Sequence, residues 1–395
     1  MIIVIVDTTL QGPLIGGAQT FLPNLLKGLV ERGHKVHLVS AGRPDERVQP
    51  ALESSGVVLH DTIWDNNMLE QDAAVSLAGW VNKMNPDLYL VSVSPDIGWL
   101  ALPLLDPTIA TMAIGHTDSE TFYQPVRHYH SFLTKVVGVS KQVSDQFISS
   151  CQISPGDTRW IPYGVTINLL PPTQDKEGPL KLVYVGRLEE QQKRVSDIIK
   201  IIHHLSERGL SFQFSIIGDG TERNKMEEAL QMEIDSGSVK FHGWLAPSEV
   251  IASMRESSIF ILTSAYEGFC IALVEAMANG CCPIVTNIQS GNEQLIKNGF
   301  SGFIFPVGDT ISFANKIADL SKDLTCLHTL RKRAWETGMN FSIEKMVDAF
   351  ENYFSEAIIQ NGKSLREADR RFPPMPGCRS AYPLWIRRIK KQIFH

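Results

Sequence analysis

The sequence predicts two doubly wound α/β domains, each built on a parallel sheet, and three observations support this prediction. The chain has 395 residues, which is enough for two domains of ordinary size. Apolar strand-like runs alternate with helical segments in both halves, a pattern typical of parallel sheets covered by helices on both faces. A stretch rich in proline and glycine separates the halves and predicts a linker at residues 167–179.

The first half, residues 1–166, begins with an apolar run that predicts a buried strand. Predicted helices and strands then alternate along the chain. Residues 18–32 place apolar side chains at helical spacing, and Gly33 then supplies a C-terminal stop. Because connections between parallel strands are right-handed, the alternation predicts a doubly wound domain. The predicted strands are residues 2–6, 36–39, 88–93, 109–114 and 135–139.

The second half, residues 180–341, repeats this alternation without sequence similarity to the first. Its predicted strands are residues 180–185, 212–217, 239–241, 259–263, 283–286 and 302–305. Its predicted helices are residues 195–207, 223–233, 248–256, 271–278 and 311–320. Residues 342–358 predict one more helix with an apolar side, and residues 359–395 follow as a basic tail.

Charge and hydropathy exclude several classes of protein. The net charge is −6, but residues 361–395 contribute +7, which leaves −13 for residues 1–360. This acidic body argues against nucleic-acid binding. Asp7 interrupts the amino-terminal apolar run, and no positive segment precedes it, so we expect a first strand and no signal peptide. Every long apolar stretch contains a charge or a helix breaker, so no transmembrane helix is expected.

The six cysteines form no CxxC pair and no His/Cys cluster with the spacing of a zinc site. We therefore expect free thiols in a reducing cytoplasm and no metal. The sequence also has no DxD-type acidic cluster at a strand end, which agrees with chemistry that needs no metal.

The segment GRLEEQQKR follows the first strand of the second domain. Gly186 permits a tight turn, and Arg187 and Lys193 precede a helix. A diphosphate needs fixed positive charge, for which Arg offers a planar fork and Lys a point charge. The residues alone favour a diphosphate site and a solvated basic loop about equally.

The segment SAYEGFCIALVEAMANG, residues 264–280, is the most informative. A strand ends before Glu267, the turn EGFC follows, and a helix begins at about Ile271. Backbone N–H groups at a helix N-terminus form an anion site. Glu267 and Glu275 can each accept two hydrogen bonds from adjacent sugar hydroxyls. The alternative is that the two carboxylates only stabilise the helix.

Two weaker signals lie in the first domain. Gly16 and Gly17 in GPLIGGAQT let the backbone approach a ligand at the start of the first helix, although the full GxGxxG pattern is absent. His116 ends a predicted strand, and Asp118 and Glu120 are near enough in sequence to orient it. A lone His in such a position is more often structural.

Together these segments resemble the retaining glycosyltransferases of family 4, or glycosyl transferases group 1, which have the GT-B fold of two Rossmann-like domains facing across a cleft. The central motif is the glutamate pair Glu267 and Glu275 in EGFCIALVE. Other motifs follow in the family's order over residues 1–356: GGAQ, GHTD, VGVS, IPYGV, GRLEEQQK, IGDG, VKFHGW and GNEQLIKNGFSGFIFPVGD. The ordered set is specific, whereas no single motif is.

The resemblance implies a role for each matching position. Arg187 and Lys193 would hold the donor diphosphate. Glu275 would bind the ribose, while Glu267 and His116 would contact the transferred sugar near the reaction centre. Residues 218–220 and 243–245 would flank the base, and the helix predicted at 342–358 would brace the first domain. The implied donor site also includes Gly16, Gly17, Gly186, Gly218, Gly220, Trp244, Leu245, Gly268, Phe269 and Cys270.

Three places depart from the family pattern. Cys270 stands where a small residue, often Gly, is usual. Cys281 and Cys282 replace a small or Leu pair, and SGNE at residues 290–293 replaces a GGxPE-like turn. These changes bear on the shape of the donor pocket, so the sugar and the choice between UDP and GDP stay open.

The implied activity is transfer of a hexose-type sugar from a UDP- or GDP-linked donor to an acceptor hydroxyl, with retention of configuration and without a cofactor. The acceptor would be a glycan, a lipid-linked glycan or a small molecule, as in the synthesis of cell-envelope polysaccharide or glycolipid. The alternatives are a GT-B relative such as a sugar-nucleotide epimerase or a phosphorylase, and an inactive glycosyltransferase-like subunit.

The basic tail predicts that the protein binds its acceptor at a membrane surface. In residues 383–395, helical spacing places Trp385, Ile386, Ile389 and Ile393 on one side and four basic residues on the other. Such a helix fits an anionic membrane surface, so we expect a cytoplasmic protein that binds peripherally to the inner face of the membrane. A disordered tail or a helix docked on the acidic body is the alternative.

Overall fold

The computed structural model describes residues 1–11, 17–61, 63–64, 68–94, 96–174, 177–288 and 292–363. The chain divides into two units. Unit 1 consists of Met1–Pro162 with the described chain from Met346, and unit 2 consists of Tyr163–Lys345. Each unit is built on a parallel sheet with helices, which confirms the predicted α/β class.

A seven-stranded parallel sheet forms the centre of unit 1. Its strands are β1 (Ile2–Val6), β2 (Lys35–Val39), β3 (Val58–His60), β4 (Leu88–Val91), β5 (Ala110–Gly115), β6 (Lys135–Gly138) and β7 (Thr158–Trp160). Their order in the sheet is β3-β2-β1-β4-β5-β6-β7. The order reverses between β1 and β4, and such switch points are where α/β sheets bind ligands. The sequence pattern did not predict β3 and β7, because these edge strands have three residues each and are partly exposed.

The helices of unit 1 cover this sheet. They are α1 (Gly17–Glu31), α2 (Gln49–Ser54), α3 (Glu70–Met84), α4 (Asp96–Ala101), α5 (Glu120–Tyr129) and α6 (Lys141–Ser150). The apolar residues that predicted α1 are buried, among them Phe21, Leu25 and Leu29. The chain leaves α1 at Gly33, whose positive φ of 81° suits the left-handed conformation after a helix.

Unit 2 contains a six-stranded parallel sheet. Its strands are β8 (Leu180–Val185), β9 (Phe212–Ile217), β10 (Val239–Gly243), β11 (Ile259–Leu262), β12 (Cys282–Thr286) and β13 (Phe303–Phe305). Their order is β10-β9-β8-β11-β12-β13, so the switch point lies between β8 and β11. Central strand β11 is buried along its whole length, as its continuous apolar run requires.

The helices of unit 2 differ from the prediction at three places, one of which is the four-residue helix Asn292–Leu295 that the sequence pattern did not predict. They are α7 (Val195–Glu207), α8 (Arg223–Ala229), α9 (Gln231–Asp235), α10 (Pro247–Glu256), α11 (Ile271–Ala278), α12 (Asn292–Leu295), α13 (Thr310–Lys322) and α14 (Leu324–Gly338). The single helix predicted at residues 223–233 is two helices, because buried Leu230 leaves helical geometry with φ −110° and ψ 20°. The sequence pattern missed α14, since Arg331 and Gly338 interrupt its buried apolar side.

Helix α15 (Ile343–Lys363) is the helix predicted at residues 342–358, and most of it belongs to unit 1. Its buried residues include Met346, Val347, Phe350, Tyr353 and Phe354. Val347 packs directly on α1: a Cβ added to Gly28 would lie 2.5 Å from a Val347 methyl. Of the helices in the described ranges, each is too short or too polar for a bilayer span.

The segment predicted as a linker is held to unit 2. The carbonyl of Asn168 accepts a hydrogen bond from the indole of Trp335 (2.7 Å), and that of Thr173 accepts one from Arg331 (3.2 Å). Residues 175–176 lie outside the described residues.

Candidate active site

The switch point of unit 2 brings together three of the residues predicted to bind the donor. The loop after β8 carries Arg187 and Lys193, and the loop after β11 carries Glu267. Strands β8 and β11 are neighbours and parallel, so both loops leave the sheet at the same edge. Ligands of open α/β sheets bind at this edge.

Lys193 and Glu267 form a largely buried ion pair. The Nζ and Oε1 atoms lie 2.5 Å apart, and the side chains are 12% and 8% exposed. The Ser264 hydroxyl donates to the same carboxylate oxygen (2.7 Å), and the Gln192 amide donates to the other (3.1 Å). Burial opposes the charge of Lys193, but Glu267 and its neighbours raise the Lys193 pKa, so the ammonium is charged at neutral pH.

Gln192 links this ion pair to Arg187. Its Oε1 accepts a hydrogen bond from Arg187 Nη2 (2.6 Å) while its Nε2 donates to Glu267. The Arg187 side chain is 45% exposed and also pairs with Glu189, at 3.1 Å. Two cations, two carboxylates and one amide therefore form a single hydrogen-bonded cluster.

Glycines allow the neighbouring loops to touch. A Cβ at Gly186 would lie 2.9 Å from the hydroxyl of Tyr184, which donates to the carbonyl of Arg187 (2.8 Å). Gly218 has φ 132°, and a Cβ there would lie 1.9 Å from the Gly186 carbonyl oxygen. A Cβ at Gly220 would lie 2.2 Å from the carbonyl oxygen of Leu188, which is in the loop after β8. These contacts explain why the turns after β8 and β9 need glycine.

The residues predicted to flank the base lie on the next strand end. Trp244 and Leu245 follow β10, and the Gly218 N–H donates to the Gly243 carbonyl at 2.8 Å. The Trp244 side chain is 55% exposed, whereas Leu245 is half-buried. An exposed indole beside a backbone turn offers an aromatic face for stacking.

The turn before α11 is buried. Gly268, Phe269 and Cys270 are all buried, and the Phe269 ring packs edge-to-face on Tyr163, with centroids 5.5 Å apart. Cys270 is the N-cap residue and makes no side-chain cap bond. Burial raises the pKa of the Cys270 thiol to about 12, so the thiol stays protonated. The first backbone N–H groups of α11 have no partner within the helix, as at every helix start.

Glu275 lies one turn into α11 and is half-buried. Burial raises the pKa of its carboxyl to about 7. Within the described residues no hydrogen bond or ion pair reaches this carboxyl group. A ligand with two adjacent hydroxyls would supply the donors that the carboxylate lacks.

In unit 1, His116 follows β5 and is buried. Its Nε2 lies 2.8 Å from the Ser92 hydroxyl, and burial lowers the pKa of the imidazole to about 3, so the ring is neutral. The prediction that Asp118 and Glu120 orient His116 is wrong. Asp118 accepts from the Tyr123 hydroxyl instead, and Glu120 pairs with Arg127 of its own helix, so both carboxylates have partners within or beside α5.

Other predicted site features stay untested. Gly17 is the first residue of α1, whereas Gly16 lies outside the described residues. The described ranges contain no group of three or more His, Cys, Asp or Glu residues that could hold a metal. That the two units share one cleft stays a prediction.

The sequence pattern did not single out several residues that shape the site. Gln192 and Ser264 hold Glu267 in place, and the Ser92 hydroxyl contacts His116. Their common signal was their position, since each lies in a segment that follows the carboxyl end of a strand. Position alone does not reveal which of many polar residues there face each other.

Comparison with known proteins gives two family matches that together run from residue 15 to residue 337. The model for "Glycosyl transferases group 1" matches residues 168–337, and that for "Glycosyltransferase Family 4" matches residues 15–169. The first match contains Arg187, Lys193, Glu267 and Glu275, and the second contains His116.

Among curated proteins, the lipopolysaccharide 1,6-galactosyltransferase of Salmonella typhimurium (strain LT2) is 32% identical over 197 residues, 48% of this chain and 52% of that protein. The UDP-Gal:alpha-D-GlcNAc-diphosphoundecaprenol alpha-1,3-galactosyltransferase of Escherichia coli is 26% identical over 242 residues, 57% of this chain and 61% of that protein. The chain thus spans between half and two thirds of the length of these relatives.

Among solved structures, Anabaena Alr3699/HepE in complex with UDP superposes with a TM-score of 0.74 at 17% identity. The superposition covers 90% of this chain and 100% of that protein. At this level of identity the likeness concerns the fold.

Proposed function

The chain belongs to the glycosyl transferases group 1 family and has the GT-B fold, and on this premise we propose that it is a retaining hexosyltransferase. Its donor would be a hexose linked to UDP or GDP, and its acceptor a hydroxyl of a glycan or a lipid-linked glycan. The reaction would need no cofactor and no metal.

The observation that carries this proposal is the Arg187–Gln192–Glu267–Lys193 cluster at the switch point of unit 2. An ammonium has three N–H donors, and Glu267 is the one side chain in the described ranges that accepts from Lys193. Lys193 therefore keeps donors for phosphate oxygens. The half-exposed guanidinium of Arg187 adds a planar fork for the same group.

The glutamates would recognise the sugars of the donor. Glu267 is held by three donors and lies beside the Lys193 ammonium, where a hexose attached to the diphosphate would reach it. Glu275, which has no described partner, would accept from the ribose hydroxyls. Trp244 would flank the base.

Retention would follow from attack on the face that the diphosphate leaves. The bond from the anomeric carbon to the diphosphate oxygen breaks, the acceptor oxygen bonds to that carbon, and the acceptor proton passes to the departing phosphate. Lys193 and Arg187 would stabilise the charge that develops on the diphosphate. A charge-stabilising donor of this kind is worth about 10²–10³ in turnover.

The named activities of two relatives support an acceptor in the cell envelope. One is named as a lipopolysaccharide 1,6-galactosyltransferase, and the other is named for a diphosphoundecaprenol-linked GlcNAc acceptor. The basic tail at residues 383–395, outside the described residues, would hold the enzyme at the cytoplasmic membrane surface where such acceptors lie.

A panel of nucleotides and sugar nucleotides tests the donor site. We expect UDP- or GDP-linked hexoses to raise the unfolding temperature of the native chain. A ligand at 100 times its Kd stabilises by about 2.7 kcal/mol. The variant Lys193→Met should lose this effect, and a surface control, Lys200→Met, should keep it. Stabilisation by none of the donors would favour an inactive subunit.

A transfer assay then tests the reaction. The donor that stabilises the chain is incubated with undecaprenol-linked and lipopolysaccharide-core acceptors, and the anomeric configuration of the product is read by NMR. We expect release of nucleoside diphosphate only with acceptor, and the same configuration in product and donor. Sugar epimerisation without acceptor would favour the epimerase alternative, and an inverted product would contradict retention.

A further inference from the structure

Two consecutive hydroxyl side chains directly after β11 contact the two partners of the ion pair. The Thr263 hydroxyl donates to the backbone carbonyl of Lys193 at 2.8 Å. The Ser264 hydroxyl donates to the Glu267 carboxylate at 2.7 Å. Both hydroxyl-bearing residues are buried, with at most 1% of either exposed. One short segment at the end of a central strand therefore holds both members of the ion pair.

The backbone bends sharply directly after Lys193. Arg194 has φ 50° and ψ 51°, a left-handed conformation that a residue with a side chain rarely adopts. Its N–H donates to the Glu190 carbonyl (3.0 Å), and its Nε donates to the buried Asp197 carboxylate (2.7 Å). Such a conformation is unfavourable by itself and persists only where surrounding contacts hold it. The bend in turn fixes where the Lys193 side chain leaves the backbone.

Thr263 links this bend to strand β11. Its hydroxyl oxygen lies 2.8 Å from the Lys193 carbonyl oxygen and 3.3 Å from that of Arg194. The Arg194 carbonyl also accepts from the Asp197 N–H, at 2.9 Å. Within the described ranges, by contrast, Thr263 is the one donor to the Lys193 carbonyl. A hydroxyl has a single hydrogen, so the shorter bond is the main one, and its loss would release the backbone of Lys193.

We propose that Thr263 is a positioning residue, which holds the Lys193 carbonyl and thereby keeps the Lys193 ammonium beside Glu267. In the transfer reaction this fixed ammonium meets the donor diphosphate. That step rests on the proposed function, whereas the placement of Lys193 does not. A preorganised cation stabilises developing charge without moving at the moment of reaction, so Thr263 contributes to turnover without touching the donor.

The first experiment measures the reactivity of the Lys193 amine without any nucleotide. The full chain is treated with a trace of acetic anhydride, and mass spectrometry gives the acetylation rate of Lys193 relative to Lys141. We expect slow reaction in native protein, because Lys193 is 12% exposed and paired, whereas Lys141 is 56% exposed. Thr263→Val keeps the shape of the side chain but removes the hydrogen bond, so we expect Lys193 to react about tenfold faster.

Three further variants complete this experiment. Thr263→Ser keeps the hydroxyl and should protect Lys193 as native protein does, whereas Thr263→Ala should expose it. Thr111→Val removes another buried hydroxyl, which donates to the Phe132 carbonyl in unit 1, and should leave Lys193 protected.

Thermal unfolding identifies the variants that fold. If Thr263→Val does not fold, Thr263→Ala decides, and if neither folds, Thr263 serves the fold as a whole and the proposal fails. Native reactivity of Lys193 in a folded Val or Ala variant would also overturn it.

The second experiment asks whether Thr263 acts on the donor site through Lys193. We expect Thr263→Val to weaken binding of UDP or GDP about tenfold and to leave the affinity for uridine or guanosine unchanged. In the Lys193→Met background, Thr263→Val should have no further effect on nucleotide affinity. Equal losses in both backgrounds would exclude action through Lys193. Native protein that binds neither UDP nor GDP would contradict the proposed function, and the labelling result would still decide the role of Thr263.

Discussion

The Lys193–Glu267 pair combines a structural role with a proposed catalytic one, and single and double variants separate the two. Removing one partner leaves a buried charge unpaired, which typically costs about 3–5 kcal/mol. We expect Lys193→Met and Glu267→Gln each to lower the free energy of unfolding by about this amount. The double variant should regain most of the stability, because no buried charge remains alone, but not the transfer activity. Urea unfolding and turnover measure the two effects.

Lys200→Met is the control for this series. Lys200 pairs with buried Asp197, but the Lys200 side chain is 58% exposed, and Arg194 also pairs with Asp197 at 2.7 Å. Because Asp197 keeps a cation when the exposed Lys200 is replaced, we expect a loss of stability of about 1 kcal/mol or less and normal turnover. A double variant with near-normal turnover would remove Lys193 and Glu267 from the proposed catalytic site.

The raised pKa of the Glu275 carboxyl predicts that the free energy of unfolding depends on pH. This pKa is raised from 4.5 to about 7 by burial, so between these values the folded protein holds a proton that the unfolded chain has lost. Stability then falls as pH rises through this window, by at most about 1.4 kcal/mol per pH unit, and levels off above pH 7. Relative to native protein, Glu275→Gln should lack this slope. Unfolding by urea at pH 5, 6, 7 and 8 measures it.

Donor binding should also depend on the ionisation of Glu275, but its affinity should increase with pH where stability decreases. Ribose hydroxyls donate, so they favour the carboxylate. We expect the affinity of the native chain for the nucleotide to increase from pH 6 to pH 8, and that of Glu275→Gln to stay flat. Equal pH profiles for the two proteins would exclude Glu275 from the donor site.

At the scale of elements, the contact between α11 and α14 supports the turn that carries Glu267. Gly338 ends α14, and a Cβ there would lie 2.5 Å from the backbone nitrogen of Ala278 in α11. We expect Gly338→Ala to push the helices apart and to destabilise by about 1–3 kcal/mol, the usual range for overpacking. Thermal unfolding measures the change.

Gly79 offers the matched control within a helix. It lies in α3, and a Cβ there would meet nothing within 4 Å. Replacing it with alanine should stabilise by about 0.5–1 kcal/mol, because alanine loses less conformational entropy in a helix. If both substitutions had the same sign, steric contact at Gly338 would not be the cause.

The elements also show how far a sequence can predict this fold and site. Continuous apolar runs predicted the central strands, because both their faces are covered. Short edge strands lacked such a pattern, because they are partly exposed and mix polar with apolar residues. Helix α14 lacked it because a buried arginine interrupts its apolar side. Motif spacing predicted Lys193 and Glu267, whose contact the structure shows, but the partner of His116 depends on which strands are adjacent.

At the scale of the whole molecule, charge is distributed unevenly. Residues 1–360 carry −13 and residues 361–395 carry +7. An acidic body is repelled by an anionic bilayer, so attachment would require the tail. The tail beyond Lys363 lies outside the described residues, and its membrane role stays a prediction from its sequence.

Substitutions in the full chain test this role. We expect native protein to co-sediment with vesicles that contain phosphatidylglycerol and to detach at high salt. Each basic residue near an anionic surface contributes about 1 kcal/mol. Replacing Arg387, Arg388, Lys390 and Lys391 with Gln should therefore lower partitioning by about a thousandfold.

The matched control removes the same charge elsewhere in the tail, at Arg366, Arg370, Arg371 and Arg379. These residues precede the segment in which Trp385 and Ile389 share one helical side, so the apolar side would not hold them at the surface. We expect the control to lose less binding than the first variant. Equal losses would mean that the tail acts as a diffuse cationic chain, and no loss in either variant would mean that the membrane is not its partner.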